Sequence, residues 1–178
     1  MTAFNRQKFR ELMLYVADKS QGDPKYGATK LNKILFFSDF LAYAHFGQAI
    51  TGADYQRLPK GPAPRLMMPI QKELVADGDA RVESRTYFNR RQSRLVALRP
   101  PNLSEFSIEE LALVDDVIDQ LHYHDAVSIS ELSHEAVMAW QVAMDGEDIP
   151  YDTVFVSVRP PSPSDIARGR ELAKQYGW

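Results

Sequence analysis

The chain has 178 residues, of which 44% are apolar and 25% charged, and these proportions are typical of a globular protein with one hydrophobic core. It has no cysteine, which excludes disulfides, thiolate metal sites and cysteine nucleophiles. The N-terminus carries charges where a secretory signal needs an apolar run. The longest apolar-rich stretch, 34–46, is too short to span a bilayer and contains Asp39 and His45. We therefore expect a cytoplasmic protein.

The net charge of −3 conceals an uneven distribution of charge. Residues 57–99 contain ten Lys or Arg and four Asp or Glu, whereas residues 100–158 contain thirteen Asp or Glu and no Lys or Arg. Such asymmetry bears on partners more than on fold. Two interpretations stay open: the segments face and partly neutralise each other, or they form separate charged surfaces.

Apolar positions at helical spacing predict about six helices. Their expected bounds are Asn5, as the cap, to about Lys19; Thr29 to Phe46, a central core helix ended by Gly47; Pro64 to Ala76; a helix beginning within 104–111 and ending near His122; 130–144; and Ser164 to Gln175. Pro69 indicates a kink in the third helix or a start near that residue. Ser107 and Glu110 form a capping box for the fourth helix, and Ser128 or Ser130 is expected to cap the fifth.

Strand composition is found in four segments, 55–58, 80–88, 93–99 and 153–158, and residues 89–92 are expected to join the second to the third. The prediction is an α+β, mostly helical single domain over 1–178, with one or two small antiparallel β-hairpins. The segment 59-PKGPAP-64 is expected to be a rigid turn. It is a poor phosphate loop, because proline lacks the backbone N–H that such a loop uses.

Catalytic and metal-binding motifs are weak in this sequence. The histidines of 122-HYHD-125 and His134 permit a metal site, but a polar helix end is the favoured interpretation. No nucleophile elbow is present. We expect no enzyme, no cofactor and no metal, with a metal-dependent enzyme kept as an alternative.

A winged-helix regulator that binds DNA is the rival interpretation. A helix over 64–76 followed by a hairpin over 80–99 has the order of a recognition helix and its wing. Six arginines could contact phosphates: Arg81, Arg85, Arg90, Arg91, Arg94 and Arg99. The helix itself offers few base-reading side chains, namely Arg65, Gln71 and Lys72, and the pI of about 5.8 does not favour nucleic acid.

Three segments taken together resemble a known family. They are 30-KLNKILFFSDFLAYAHFGQAITGADYQRLPKGPAP-64, 131-ELSHEAVMAW-140 and 149-IPY-151. Their order resembles the Panacea domain, also called the SocA-like antitoxin domain, with a Lys-Leu-x-Lys helix containing an Asp, a Pro-x-Gly-Pro turn, Glu-Leu-Ser-His and a Trp. Phe36 and Ile34 stand where the family often has Tyr and Leu. The stretch before Trp140 lacks the proline that the family often has there.

The resemblance implies an antitoxin of a bacterial or phage toxin–antitoxin system that neutralises a toxin by direct binding. One founding member also presents its toxin to a protease, so an adaptor function and a protease partner are further expectations. Homo-oligomers are possible, and neither a membrane nor a nucleic-acid partner is expected. The motif residues are Lys30, Leu31, Lys33, Asp39, Gly52, Tyr55, Pro59, Gly61, Pro62, His134, Trp140 and Tyr151.

The polar motif residues are expected to form a buried network that stabilises the domain, with the lining of a toxin-facing groove as the alternative. Asp39 lies in an apolar helix, so it is expected to be hydrogen-bonded to Tyr43, Tyr55 or backbone amides. Residue type and expected exposure give the candidate anchors for a partner: Tyr55, Arg57, Lys60, Tyr87, Phe88, Arg90, Arg91 and Arg94.

Overall fold

The computed structural model of the protein describes residues 3–156 and 161–177. Within these residues, seven α-helices and two antiparallel strand pairs form the mostly helical α+β fold that the sequence predicts. The helices are α1 (Arg6–Lys19), α2 (Ala28–Phe46), α3 (Met67–Ala76), α4 (Ile108–Leu121), α5 (Ala126–Ala136), α6 (Met138–Val142) and α7 (Pro163–Tyr176). The strands are β1 (Tyr55–Gln56), β2 (Ala63–Pro64), β3 (Ala80–Tyr87) and β4 (Arg90–Ala97).

Helices α1 and α2 form the centre of the core. Asn5 caps α1 by accepting a hydrogen bond from the Lys8 amide at 2.9 Å, as predicted. Helix α2 is buried around most of its circumference, which agrees with its wide apolar band. It ends at Gly47, whose φ of 76° lies in the left-handed region that glycine tolerates best.

The β1–β2 pair corrects the predicted start of the third helix. Pro64 pairs with Tyr55 in the sheet, so it does not occupy the first turn of a helix. Helix α3 begins at Met67, and Pro69 lies in its first turn, where a missing N–H breaks no intrahelical bond. The proline-rich segment is therefore the connection of a short hairpin, and a two-residue bend precedes α3.

The β3–β4 hairpin is longer and tighter than predicted. Strand β4 begins at Arg90 rather than at Ser93, because Phe88 and Asn89 alone make the turn. Both have positive φ, 45° and 57°, which matches the twist of a two-residue hairpin turn. At the other end of the hairpin, Ala80 and Leu95 are buried in the core, so the hairpin is anchored at its base and its tip is exposed.

The predicted fifth helix is two helices. The capping box of Ser107 in α4 is confirmed, but Asp125 caps α5 by accepting from the amides of Val127 and Ser128, both at 2.9 Å. The predicted caps Ser128 and Ser130 are therefore wrong, because an acceptor was available earlier. Val137 has extended backbone angles that separate α5 from α6.

Residues after 150 also differ from the prediction. Tyr151–Phe155 is a 3-10 helix, so the strand predicted over 153–158 is wrong for its described part. Residues 157 and 158 lie outside the described residues. Ser162 caps α7, and no side chain of this helix is buried.

Candidate functional site

Asp39 is the centre of a buried hydrogen-bond network on α2. Its carboxylate accepts from the Thr51 amide at 2.7 Å, the Thr51 hydroxyl at 2.5 Å and the Tyr55 hydroxyl at 2.8 Å. Burial raises the pKa of Asp39, while these hydrogen bonds oppose that rise. Tyr55 and a backbone amide are thus confirmed as partners, whereas Tyr43 donates to Asp152 instead. The network attaches the returning chain to α2.

Lys33 lies under the proline-rich turn. It is 1% exposed, and its Nζ donates to the Pro62 carbonyl at 2.9 Å. It makes no ion pair with any described residue, and burial lowers its pKa to about 7. Gly61 closes over the amine with a φ of 94°, and a Cβ there would lie 2.5 Å from Nζ and 2.4 Å from the Ser133 hydroxyl. The space over Gly61 is filled by the Lys33 amine and the Ser133 hydroxyl, so it cannot also hold a side chain at position 61.

Trp140 joins α6 to the β1–β2 hairpin. The imidazole of His134 stacks on its ring with centroids 3.6 Å apart, and the Arg57 guanidinium lies 4.5 Å from the ring centroid. Trp140 Nε1 donates to the Leu58 carbonyl at 2.9 Å, and Arg57 also pairs with Asp145. Burial, with Lys33 and Arg57 nearby, lowers the pKa of His134. Arg57 is therefore engaged within the domain.

Two further polar motif residues, Lys30 and Tyr151, are held by contacts within the domain. Lys30 forms a buried ion pair with Asp23 at 2.6 Å and donates to the His122 carbonyl at 2.9 Å. The Tyr151 hydroxyl donates to the Ala53 carbonyl at 2.7 Å. Leu31, Gly52 and Pro62 are buried, and Pro59 is exposed.

Two candidate partner anchors are not on the surface. The expected exposure of Tyr55 and Arg94 is wrong, because they are 1% and 4% exposed. Arg94 points inward from β4 and donates to three backbone carbonyls of the loop after α1, those of Ser20, Gln21 and Asp23, at 2.9–3.3 Å. A guanidinium can be buried there because these carbonyls accept from both of its terminal nitrogens, while its Nε has no hydrogen-bond partner among the described residues.

The other hairpin anchors meet in one cleft with Lys60. Tyr87, Phe88, Arg90 and Arg91 from the hairpin tip and Lys60 from the proline-rich turn line a cleft of about 580 Å³, which we call the cationic cleft. Sequence reasoning did not identify its other walls, which are Lys25, the first turn of α2 and the start of α5 with Asp125. The sequence indicated only that residues 20–28 form a turn, and turn composition does not show what the turn faces.

Most cations of the cationic cleft lack a carboxylate partner. Lys25, Lys60, Arg90 and Arg91 form no ion pair with any residue that the structure describes. Arg91 donates a hydrogen bond to the Ser84 hydroxyl at 2.9 Å, and Lys25 donates one to the Tyr123 carbonyl at 2.7 Å. The first turn of α2 adds amide groups that receive no side-chain cap. The cleft therefore has a positive potential that the described residues compensate only in part, through Asp125.

Two other arginines of the hairpin share one carboxylate. Glu83 accepts from Arg81 at 2.6 Å and from Arg85 at 2.7 Å, and these arginines lower the pKa of Glu83. Away from the hairpin, Arg65 pairs with Asp148 at 2.6 Å, as Arg57 does with Asp145. The basic and acidic segments thus neutralise each other near β1 and β2, while the cationic cleft remains a separate charged surface.

A family model described as antitoxin SocA-like, Panacea domain, matches residues 31–141. The chain belongs to this family. The match supports an antitoxin-like role and implies a protein partner such as a toxin. No curated protein and no solved structure gives a significant match to the chain.

Arg65, which the DNA-binding interpretation assigns to reading bases, donates instead to Asp148 and to the Gly146 carbonyl. The described residues contain no group of three or more His, Asp or Glu side chains placed to hold a metal ion. His124 lies 3.3 Å from the Ser128 hydroxyl. No described helix has the length and apolar character needed to cross a membrane.

Proposed function

We propose that this protein is an antitoxin that neutralises a cognate toxin in the cytoplasm by direct binding, and that the cationic cleft with its aromatic rim is the contact surface. The motif residues such as Asp39, Lys33 and Trp140 are the common scaffold, and the whole chain acts as one binding domain. The observation that carries the proposal is the meeting of five anchor-type side chains at one exposed cleft.

The chemistry of this surface suits a protein interface. Interface hot spots are enriched in Tyr, Trp and Arg, and aromatic side chains supply large contact area at low entropic cost. Phe88 is 84% exposed at the hairpin tip, and its ring packs edge-on against Tyr87 with centroids 4.7 Å apart. An exposed Phe88 on a half-buried Tyr87, beside cations without an ion pair to any described residue, is a costly surface for a protein without a partner.

The test begins with the native partner. The tagged protein is purified from its own host, the co-purifying protein is identified, and its gene is expressed alone and together with this chain. We expect growth arrest when the partner is expressed alone and recovery on co-expression. Phe88→Ala should weaken binding by about 30-fold, which corresponds to a hot spot of ~2 kcal/mol.

Ile108→Ala is the matched control, because Ile108 is also 84% exposed but begins α4 and does not line the cleft. It should bind the toxin as the unchanged protein does. Equal neutralisation by the Phe88 and Ile108 variants would contradict the assignment of the surface. A partner that does not arrest growth would contradict the antitoxin function itself.

The same purified protein allows three further properties to be tested separately: a protease-adaptor function, homo-oligomerisation and DNA binding. An adaptor accelerates degradation of the toxin by a purified protease, and the oligomeric state is measured by light scattering. Duplex DNA binding with a steep loss on added salt would favour the winged-helix alternative.

A further inference from the structure

Five cationic residues and one acidic residue line the cationic cleft. One of the cations, Lys30, is neutralised by Asp23 in a buried pair. The one acid, Asp125, is occupied as the cap of α5, since its carboxylate accepts two backbone amides. Four cations therefore face the cleft, and the only described carboxylate among them is that of Asp125, which interacts electrostatically with Lys25.

These cations come from three separate parts of the chain. Lys25 lies in the loop before α2, Lys60 in the proline-rich turn, and Arg90 and Arg91 at the start of β4. Because the described residues place only one carboxylate, that of Asp125, among them, the remaining negative charges must come from solvent or from a ligand. The hairpin's own acid, Glu83, is already shared between Arg81 and Arg85.

The surroundings of the cleft favour a short anionic segment over a long polyanion. Helices α4 and α5 pack beside α2, and both belong to the segment 100–158, which has thirteen acids and no Lys or Arg. A duplex that extends past the cleft would meet these acids and be repelled. A short peptide with a few carboxylates would contact the cations alone, and Tyr87 and Phe88 could pack on its aliphatic stems.

We propose that the cationic cleft receives an acidic segment of the protein partner, a short run of Asp and Glu side chains that pairs with Lys25, Lys60, Arg90 and Arg91. This inference rests on the proposed function and names the chemistry of the partner's contact. Arginine forks pair with carboxylates in a bidentate manner, which suits Arg90 and Arg91. The uncapped first turn of α2 offers further donors to a carboxylate.

The experiment measures fluorescence anisotropy with three labelled probes: an octaglutamate peptide, an octaglutamine peptide and an eight-nucleotide oligothymidylate. The octaglutamate should bind at least about tenfold more tightly than the octaglutamine, and should weaken as NaCl rises from about 50 to 300 mM, because exposed charges are screened. The triple variant Lys60→Gln, Arg90→Gln, Arg91→Gln should lose about tenfold or more in affinity for octaglutamate.

The matched control removes the same number of charges from α7, with the substitutions Arg168→Gln, Arg170→Gln and Lys174→Gln. All three residues are exposed and lie outside the cleft. Affinity for octaglutamate should change by less than about twofold in this control. Circular dichroism verifies that both variants are folded.

Equal losses in the two triple variants, or no binding of octaglutamate, would overturn the proposal. Tighter binding of oligothymidylate than of octaglutamate would also overturn it, in favour of a phosphate-bearing ligand. The outcome is separable from that of the proposed function. A toxin that the cleft variant still neutralises contradicts the acidic segment, whereas a partner without toxicity contradicts the antitoxin function whatever the peptides do.

Discussion

The substitution Lys33→Met should reverse its effect on stability between neutral and alkaline pH. Lys33 is 1% exposed, makes one hydrogen bond to the Pro62 carbonyl and has a pKa lowered by burial to about 7. In the unfolded chain the amine has its ordinary pKa of 10.5. Folding at pH 7 therefore takes place against the cost of burying an amine that prefers to be charged.

The size of the effect follows from these two pKa values. Between about pH 7 and 10.5 the unfolded state binds one more proton than the folded state, so folded stability rises with pH by ~1.4 kcal/mol for each pH unit. The whole window corresponds to as much as ~5 kcal/mol. Methionine removes this cost but leaves the Pro62 carbonyl without a donor, a loss of ~1–3 kcal/mol. The variant should thus be more stable by ~2 kcal/mol or more at pH 7, and less stable near pH 10.

The assay is urea unfolding at about pH 7, 8, 9 and 10, followed by tryptophan fluorescence, for the unchanged protein, Lys33→Met and the control Lys72→Met. Lys72 is exposed on α3, so its substitution should give a free energy of unfolding parallel to that of the unchanged protein at every pH. Subtracting the curves removes the titration of other groups.

A difference between Lys33→Met and the unchanged protein that stays constant from pH 7 to 10 would refute the reasoning. That result would mean that the amine keeps its ordinary pKa when buried. Its charge would then need a counterion or solvent that the described contacts do not provide.

Three further predictions concern the buried scaffold. Asp39→Asn should cost ~1–2 kcal/mol in urea unfolding at pH 7, because its amide oxygen still accepts but its nitrogen replaces one of the two oxygens that accept from Thr51 and Tyr55, whereas Asp39→Ala should cost ~3 kcal/mol or more; similar losses in both would contradict this. Gly61→Ala should destabilise by ~3 kcal/mol or prevent folding, because a Cβ would lie 2.4 Å from the Ser133 hydroxyl at a positive φ, and a normal melting temperature would be contrary evidence. Because burial lowers the pKa of His134 below its ordinary value of 6.5, the stability of the fold is full above about pH 6.5 and is lost as pH falls from there through the lower pKa of the folded state. His134→Phe, which keeps the stack on Trp140, should flatten the loss between about pH 7 and 5, and an unchanged slope would exclude His134 as its cause.

Local patterns in the sequence predicted most helices correctly. Asn5, Gly47 and the Ser107 capping box gave boundaries that the structure confirms, because caps and apolar periodicity act within a few residues of each other. The errors occurred where a tertiary contact overrode the local signal. Pro64 suits a first helical turn, but it pairs with Tyr55 across a sheet that periodicity does not reveal.

The candidate site likewise has features that residue type predicts and features that only tertiary packing decides. Residue type identified Lys60, Phe88 and Arg91 as anchors, and the structure brings them to one cleft. Residue type could not exclude Arg94, whose burial depends on backbone carbonyls more than 70 residues away in the chain. Alternation along a strand also could not show which arginine points inward, because inward and outward depend on what packs on the hairpin.

The sequence by itself determined the family, the fold class and the excess of positive charge in the segment 57–99, because ordered motifs, periodicity and composition are properties of the chain. Tertiary structure alone decided which cations are neutralised. Arg57 and Arg65 meet acids from distant residues, and Arg94 is buried, whereas Lys60 and Arg91 at the cleft form no ion pair with any described residue. The physical reason is that an ion pair requires two charges within about 4 Å, and only the packing of α2, α5 and the hairpin sets those distances.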